Sequence, residues 1–146
     1  MRNFFRNKKV QIVLSIAYLF LLIYLLFFAF FRDGTTTTVN FVPFATIGPL
    51  TTYTFKTGHG ILHWIINVPG NIVAFFPLPF IFQLLKSKKI KFWNAFLFSL
   101  TIPFIAEALQ YFFQTGSLDI DDLILNFLGM MVGYFFLLKK QKQPAT

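Results

Sequence analysis

Residues 118–138 read LDIDDLILNFLGMMVGYFFLL, so that three aspartates lead into an apolar stretch interrupted by one asparagine and two glycines. About 16 neutral positions follow the aspartates, fewer than the roughly 20 residues that a helix needs to cross the hydrocarbon of a bilayer. We still predict a membrane-spanning helix here, because the charges fall at its end and can stand in the headgroup layer. This helix decides the fold, since it decides whether both termini lie on one side of the membrane.

Three further apolar stretches precede this one, at about residues 10–31, 61–85 and 92–113. Charged residues make up 12% of the chain and the mean hydropathy is +0.66, whereas soluble domains carry about 25% charged residues. The sequence therefore predicts an all-α membrane protein with four transmembrane helices, and residues 1–146 are expected to form a single domain. The first stretch is longer than a signal-peptide core and lacks a small-residue cleavage site, so we expect it to be retained.

Prolines predict irregular helices in the middle of the chain. Pro69, Pro77 and Pro79 interrupt the second span and Pro103 interrupts the third, and each removes a backbone hydrogen bond that hydrocarbon cannot replace. We therefore expect kinks in the second and third helices. Between the first two spans, the residues from about 32 to 60 form a Thr-rich loop without helical periodicity. This loop is expected on the outer side, where it is positioned to form a lid.

Basic residues predict the orientation of the four spans. With four crossings, every one of the thirteen Lys and Arg residues except Arg32 and Lys56 falls on the side of the termini. The positive-inside rule then places both termini in the cytoplasm. We attribute the net charge of +8 to anchoring against the lipid bilayer rather than to binding of nucleic acid.

Acidic residues, in contrast, concentrate where the third and fourth spans meet the outer face. Glu107 and Gln110 are spaced i, i+3, which places both on one helix face. At 1.5 Å per residue, Glu107 lies on the order of 9 Å below the outer surface. A carboxylate at that depth is expensive unless it faces protein or water. The sequence therefore marks Glu107 as a functional candidate.

A single stripe runs down the fourth span. Asp122, Asn126, Gly129 and Gly133 recur at helical spacing, and the two glycines form a small-xxx-small pattern for close helix packing. The third span is the nearest candidate to pack on this stripe, because a short turn joins the two. That packing would bring Asp122 and Asn126 toward Glu107.

Two interpretations of the acids remain open. In the structural one, Asp119, Asp121 and Asp122 cap the fourth helix, a role worth roughly 0.5–2 kcal/mol per cap. Capping does not explain Glu107. In the functional one, the four carboxylates with Gln110 and Asn126 form a polar pocket that binds a cation or a cationic or hydroxylated ligand, or that performs acid–base chemistry.

The two histidines, His59 and His63, offer a weaker signal. Their i, i+4 spacing is the interval at which two imidazoles on one helix bind zinc. Gly58 and Gly60 do not favour a regular helix there. We therefore predict no metal and no cofactor, with His59 and His63 as the alternative.

Several motifs together resemble the VanZ-like family of small bacterial multi-pass membrane proteins. The resemblance covers roughly residues 40–134, and its motifs are Asn40-x-x-Pro43-Phe44, Asn67-x-x-Gly70-Asn71, Phe76-Pro77-Leu78, Glu107-x-x-Gln110, Asp119-Ile120-Asp121-Asp122 and Asn126-x-x-Gly129-x-x-x-Gly133. Two positions depart from the family pattern: Gly116-Ser117 stands where many members have Arg, and Pro79 where Gly is common. The missing Arg leaves the acids without the basic partner that the pattern implies.

The resemblance implies a protein of the bacterial plasma membrane and an association with low-level resistance to the glycopeptide teicoplanin. Members are not known, as a class, to be enzymes. Carried over by position, the binding residues are expected to be Asn71, Glu107, Gln110, Asp119, Asp121, Asp122 and Asn126. The ligand is expected to be a glycopeptide or a cell-wall or lipid group on the outer side.

Two alternatives to this function remain open. One is a membrane-embedded enzyme on a lipid-linked substrate, using Glu107 with Asp119 or Asp122; no nucleophile or phosphate-loop signature supports it. The other is a small transporter or scaffold subunit that forms a homo-oligomer through Gly129 and Gly133.

Overall fold

A computed structural model describes residues 7–28, 38–86 and 89–142 of the chain. These residues are mostly helical, with one pair of short strands. The helices are α1 (Lys8–Phe27), α2 (Ile47–Thr57), α3 (Ile61–Asn67), α4 (Pro69–Phe75), α5 (Leu78–Lys86), α6 (Phe92–Phe112) and α7 (Ile120–Lys142), and the strands are β1 (Val39–Asn40) and β2 (Leu118–Asp119).

Four helical units are long and apolar enough to cross a membrane, and they confirm the predicted all-α membrane fold. They are Lys8–Phe27, Ile61–Lys86, Phe92–Phe112 and Ile120–Gln141. The second unit is broken into α3, α4 and α5, with α4 beginning at Pro69 and ending just before Pro77. The third, α6, continues through Pro103 as one helix. Predictions for Arg2, Arg6, Phe31, Arg32, Asp33, Thr35, Thr36, Thr37 and Lys88 fall outside the described residues.

The fourth span lies at the centre of the bundle, although its composition made it the weakest candidate. Half of its most apolar window is buried, 50% against 6% for α1. Helices α4, α5 and α6 all pack against it. Its residues Met130, Met131, Tyr134 and Leu137 belong to the two buried apolar clusters. The peripheral helix α1 contributes Leu22 to one of them.

The glycine stripe of α7 packs on α4, so the prediction that the third span would occupy it is wrong. A Cβ atom at Gly129 would lie 2.2 Å from the carbonyl oxygen of Ile72, and one at Gly133 would lie 2.1 Å from that of Phe76. Because a segment of the same chain occupies the stripe, a scaffold function through these glycines loses its proposed surface.

The described part of the outer loop also differs from the sequence prediction, because it contains helix α2. Trp64 on α3 donates its indole N–H to Thr51 Oγ1 at 3.0 Å, and Phe55 packs edge-on against the same indole. Thr54, which lies between Thr51 and Phe55 in the sequence, is 2% exposed. The helix ends at Thr57, and the next residue, Gly58, caps it with a φ of 72° that suits glycine. Contacts with α3 thus hold a Thr-rich segment whose own helix propensity is modest.

The orientation of the bundle stays a prediction, and single cysteines test it because the chain has none. We expect a membrane-impermeant thiol reagent to label His59→Cys in intact cells. Lys89→Cys should be labelled only after the membrane is opened. Both native residues are exposed, so accessibility in the protein does not limit either reaction. The opposite labelling pattern would invert the topology.

Candidate functional site

Asp121 connects the start of α7 to the start of α2. Its carboxylate accepts hydrogen bonds from the backbone N–H groups of Phe44, of Thr46 at 2.9 Å and of Ile47 at 3.0 Å. The side chain is 0% exposed. A carboxylate at a helix N-terminus satisfies free N–H groups and complements the helix dipole. Asp121 therefore braces the outer loop.

Asp119 makes a second set of hydrogen bonds between the start of α7 and the outer loop, beside those of Asp121. Its Oδ1 accepts from the Asp121 N–H at 2.9 Å, which is the capping contact for α7, and from Asn40 Nδ2 at 3.2 Å. Its Oδ2 accepts from the Thr46 hydroxyl at 2.6 Å. The strands β1 and β2 pair in parallel alongside, with Asn40 opposite Asp119. Structural roles thus account for two of the three aspartates.

Glu107 points into the bundle, toward the first turns of α7. The side chain is 3% exposed. Its Oε1 accepts from Asn126 Nδ2 at 3.4 Å and its Oε2 from the Asp119 N–H at 3.5 Å. Close by, Asp122 Oδ1 accepts from Asn71 Nδ2 at 2.8 Å, which joins α7 to α4. Helices α4, α6 and α7 therefore each bring a polar side chain to one place.

These side chains line a cavity of about 570 Å³, which we call the acidic cavity. Its wall on the α1 side is apolar, and most residues of its other walls are polar. None of the described residues that line it is a Lys or an Arg. The residues that line it are Leu22, Leu25, Leu26, His63, Ile66, Asn67, Gly70, Asn71, Ala74, Glu107, Gln110, Thr115, Ser117, Asp122 and Asn126. The volume is in the range of small-molecule binding sites.

The seven predicted binding residues divide into two groups in this structure. Asn71, Glu107, Gln110, Asp122 and Asn126 line the acidic cavity. Asp119 and Asp121 do not line it and instead hold the outer loop. Residues 38–57 contribute nothing to the lining. The described part of the loop is therefore held beside the cavity by Asp119 and Asp121, and it does not form the lid that the sequence suggested.

Asn126 carries the least satisfied polar atom of the site. The side chain is 1% exposed, its Nδ2 donates to Glu107, and its Oδ1 is buried without a hydrogen-bond partner among the described residues. A buried acceptor without a donor is unfavourable by about 1–3 kcal/mol.

The histidines do not form the helical pair required for zinc. His59 lies between two glycines of φ 72° and outside any helix, whereas His63 lies on α3 at the cavity, 3.2 Å from Asn67 Nδ2. Within residues 7–28, 38–86 and 89–142, no group of three or more His, Cys, Asp or Glu side chains is arranged to hold a metal ion.

Sequence reasoning missed the contribution of α1 to the site. Gln110 Nε2 donates to the Leu26 carbonyl at 2.8 Å, and the Tyr18 hydroxyl donates to the Ala74 carbonyl. A signal was available, because the polar residues Gln11, Ser15 and Tyr18 recur at i, i+4 and i+7 on an otherwise apolar helix. That stripe marks the face of α1 that turns toward the bundle.

Comparison with known proteins agrees with this architecture. No curated protein and no solved structure matches the chain. The family model described as VanZ/LLP1 matches residues 15–140. This match includes the second and third spans, most of the first, all but the last residue of the fourth, and every residue that lines the acidic cavity. The chain therefore belongs to the VanZ/LLP1 family.

Proposed function

We propose that the acidic cavity binds an amine- or hydroxyl-bearing group of an envelope ligand at the outer face of the bacterial plasma membrane. Both termini would then lie in the cytoplasm. By binding this ligand, or by altering access to it, the protein would contribute to resistance against the glycopeptide teicoplanin. The ligand is a glycopeptide, a cell-wall precursor or a lipid headgroup.

The chemistry of the lining supports a ligand that donates hydrogen bonds. Glu107, Asp122 and Asn126 all line the same cavity, and each carries side-chain acceptor oxygens. A carboxylate can accept several hydrogen bonds at once, and it attracts positive charge. An ammonium group brings both the opposite charge and several donors, and a hydroxyl brings one donor. This convergence of acceptors from α6 and α7 is the single observation that carries the proposal.

Charge-removing variants at the cavity test the proposal. We expect Glu107→Gln and Asp122→Asn to return teicoplanin susceptibility to the level of cells that lack the protein. Loss of one charged hydrogen bond of about 1.5–3 kcal/mol would weaken ligand binding by roughly 10- to 100-fold. The measurement is the minimal inhibitory concentration at matched membrane levels of each variant.

Gln114→Asn provides the matched control. Gln114 is an exposed amide beyond the end of α6, and it does not line the cavity. This variant should behave like the wild-type protein. Resistance that persists in both cavity variants at normal protein levels would contradict the proposed role of the cavity.

An enzyme remains the second candidate, because Glu107 and Asp122 line the same cavity. Two carboxylates in different surroundings can divide the roles of acid and base. Purified protein would then convert a lipid-linked substrate, and Glu107→Gln would abolish turnover while ligand binding remained measurable. Binding without turnover favours the first proposal.

A further inference from the structure

A second cavity, which the proposed function does not use, opens at the opposite end of the bundle. It has a volume of about 750 Å³ and lies between α1, α5, α7 and the residues that precede α6. We call it the basic cavity, because Lys8, Lys89 and Lys140 all line it. These three lysines come from three different parts of the chain, so only the fold brings them together.

The far ends of the two cavities are about one membrane thickness apart. On α1 the basic cavity is lined by Lys8 and the acidic cavity by Leu26. These residues are about 27 Å apart at 1.5 Å per residue, close to the roughly 30 Å of a hydrocarbon core. The positions of Lys140 and Asp122 on α7 give the same separation. By the positive-inside rule, the basic cavity faces the cytoplasmic leaflet.

The lining of the basic cavity combines positive charge with an apolar wall. All four acids among the described residues lie near the other end of the bundle, and none lines this cavity. Gln141 Nε2 donates to Gln83 Oε1 at 2.6 Å, which ties α7 to α5 within the lining. Leu14, Ile81 and Leu84 supply apolar surface. The 48% exposure of Leu14 leaves this wall open to lipid.

We propose that the basic cavity is a specific site for an anionic phospholipid of the inner leaflet. The ammonium groups of Lys8, Lys89 and Lys140 hold the phosphate as point charges. An acyl chain lies along the apolar wall beside α1. Lysines near a membrane surface attract anionic lipid in any arrangement, but a cavity that joins three lysines to an apolar wall distinguishes the site from a diffuse basic surface.

Lipid titration of the purified full-length chain tests the site. Phosphatidylglycerol is added to protein in neutral detergent, and bound lipid is counted by native mass spectrometry, with phosphatidylcholine as the zwitterionic comparison. We expect saturable binding of phosphatidylglycerol. The triple variant K8Q/K89Q/K140Q should bind it on the order of 10- to 100-fold more weakly.

The matched control removes the same charge from the same end of the protein. Lys9, Lys91 and Lys139 are exposed neighbours of the three cavity lysines, but they do not line the cavity. K9Q/K91Q/K139Q should therefore bind phosphatidylglycerol within about twofold of the wild type. Equal loss in the two triple variants would overturn the site, because a diffuse surface attraction would explain both.

Two further measurements exclude misfolding and binding of phosphate alone as explanations. Ser15 lines the cavity and is half-buried, so Ser15→Trp fills the apolar side while it leaves every lysine in place, and it should also weaken binding. Each variant must elute as a folded species with wild-type helicity for its titration to count. Inorganic phosphate should not displace the lipid, and displacement at comparable concentration would contradict the phospholipid assignment.

Discussion

Asp121→Ala is expected to lower the free energy of unfolding by about 3 kcal/mol and to release the outer loop from the bundle. The carboxylate is fully buried and accepts three backbone N–H groups from residues 44, 46 and 47. Alanine leaves these donors without partners at the N-terminus of α2. Helix α2 then loses the contact that positions its first turn.

Thermal unfolding in detergent measures the stability, and cleavage by external trypsin after the exposed Lys56 reports the loop. Asp121→Asn should lose about half as much stability as alanine, because one acceptor oxygen remains. Asp122→Asn is the matched control one residue away, since its amide oxygen can still accept from Asn71, and we expect a change below about 1 kcal/mol. If Asp121→Ala and Asp122→Asn are equally stable, Asp121 does not hold the outer loop against the bundle.

Gly129→Ala and Gly133→Ala are each expected to destabilise the fold by about 3 kcal/mol. The added Cβ would meet the carbonyl oxygens of Ile72 and Phe76 at 2.2 and 2.1 Å. Backbone atoms cannot rotate away as a flexible side chain can, so α4 and α7 must separate. The separation also moves Asn71 away from Asp122 at the acidic cavity.

Gly48→Ala is the control for the glycine variants. Apart from its chain neighbours and its own helix backbone, no atom lies within 4 Å of a Cβ at Gly48, so alanine there meets no other helix. A helical alanine directly before Pro49 is mildly unfavourable, and we expect the unfolding midpoint of this variant to fall only slightly. A similar midpoint for Gly129→Ala would mean that α4 does not approach α7 as closely as described.

The spans and the inward direction of Glu107 could be derived from the sequence, because hydropathy and the energetic penalty of a lipid-facing carboxylate are local properties. The partner of the glycine stripe could not. Small residues indicate that some helix approaches, but the partner α4 exists as a separate helix only because the chain breaks at Val68 and before Pro77. The short turn between the last two spans favoured α6 instead.

The different roles of Asp121 and Asp122 could not be derived from the sequence either. Asp121 and Asp122 are adjacent in the sequence, yet a helix turns neighbours about 100° apart. One side chain therefore meets the loop and the other meets α4. The partners of Asp121 lie 74 or more residues away, beyond any local pattern. For the same reason α2, in a Thr-rich segment held by Asp121, was not predicted.

The proposed function requires that the acidic cavity is open to water at the outer face and that its carboxylates carry negative charge. The most direct measurement compares the rates at which cationic and anionic methanethiosulfonate reagents, added outside, modify Asn71→Cys and Val73→Cys. Asn71 lines the cavity, whereas Val73 on the same helix is 68% exposed and turned away from the lining. The account predicts fast modification at position 71 only, with a preference for the cation that Glu107→Gln lowers and that Glu107→Gln together with Asp122→Asn abolishes. An unreactive thiol at position 71, or one without charge preference, would contradict it.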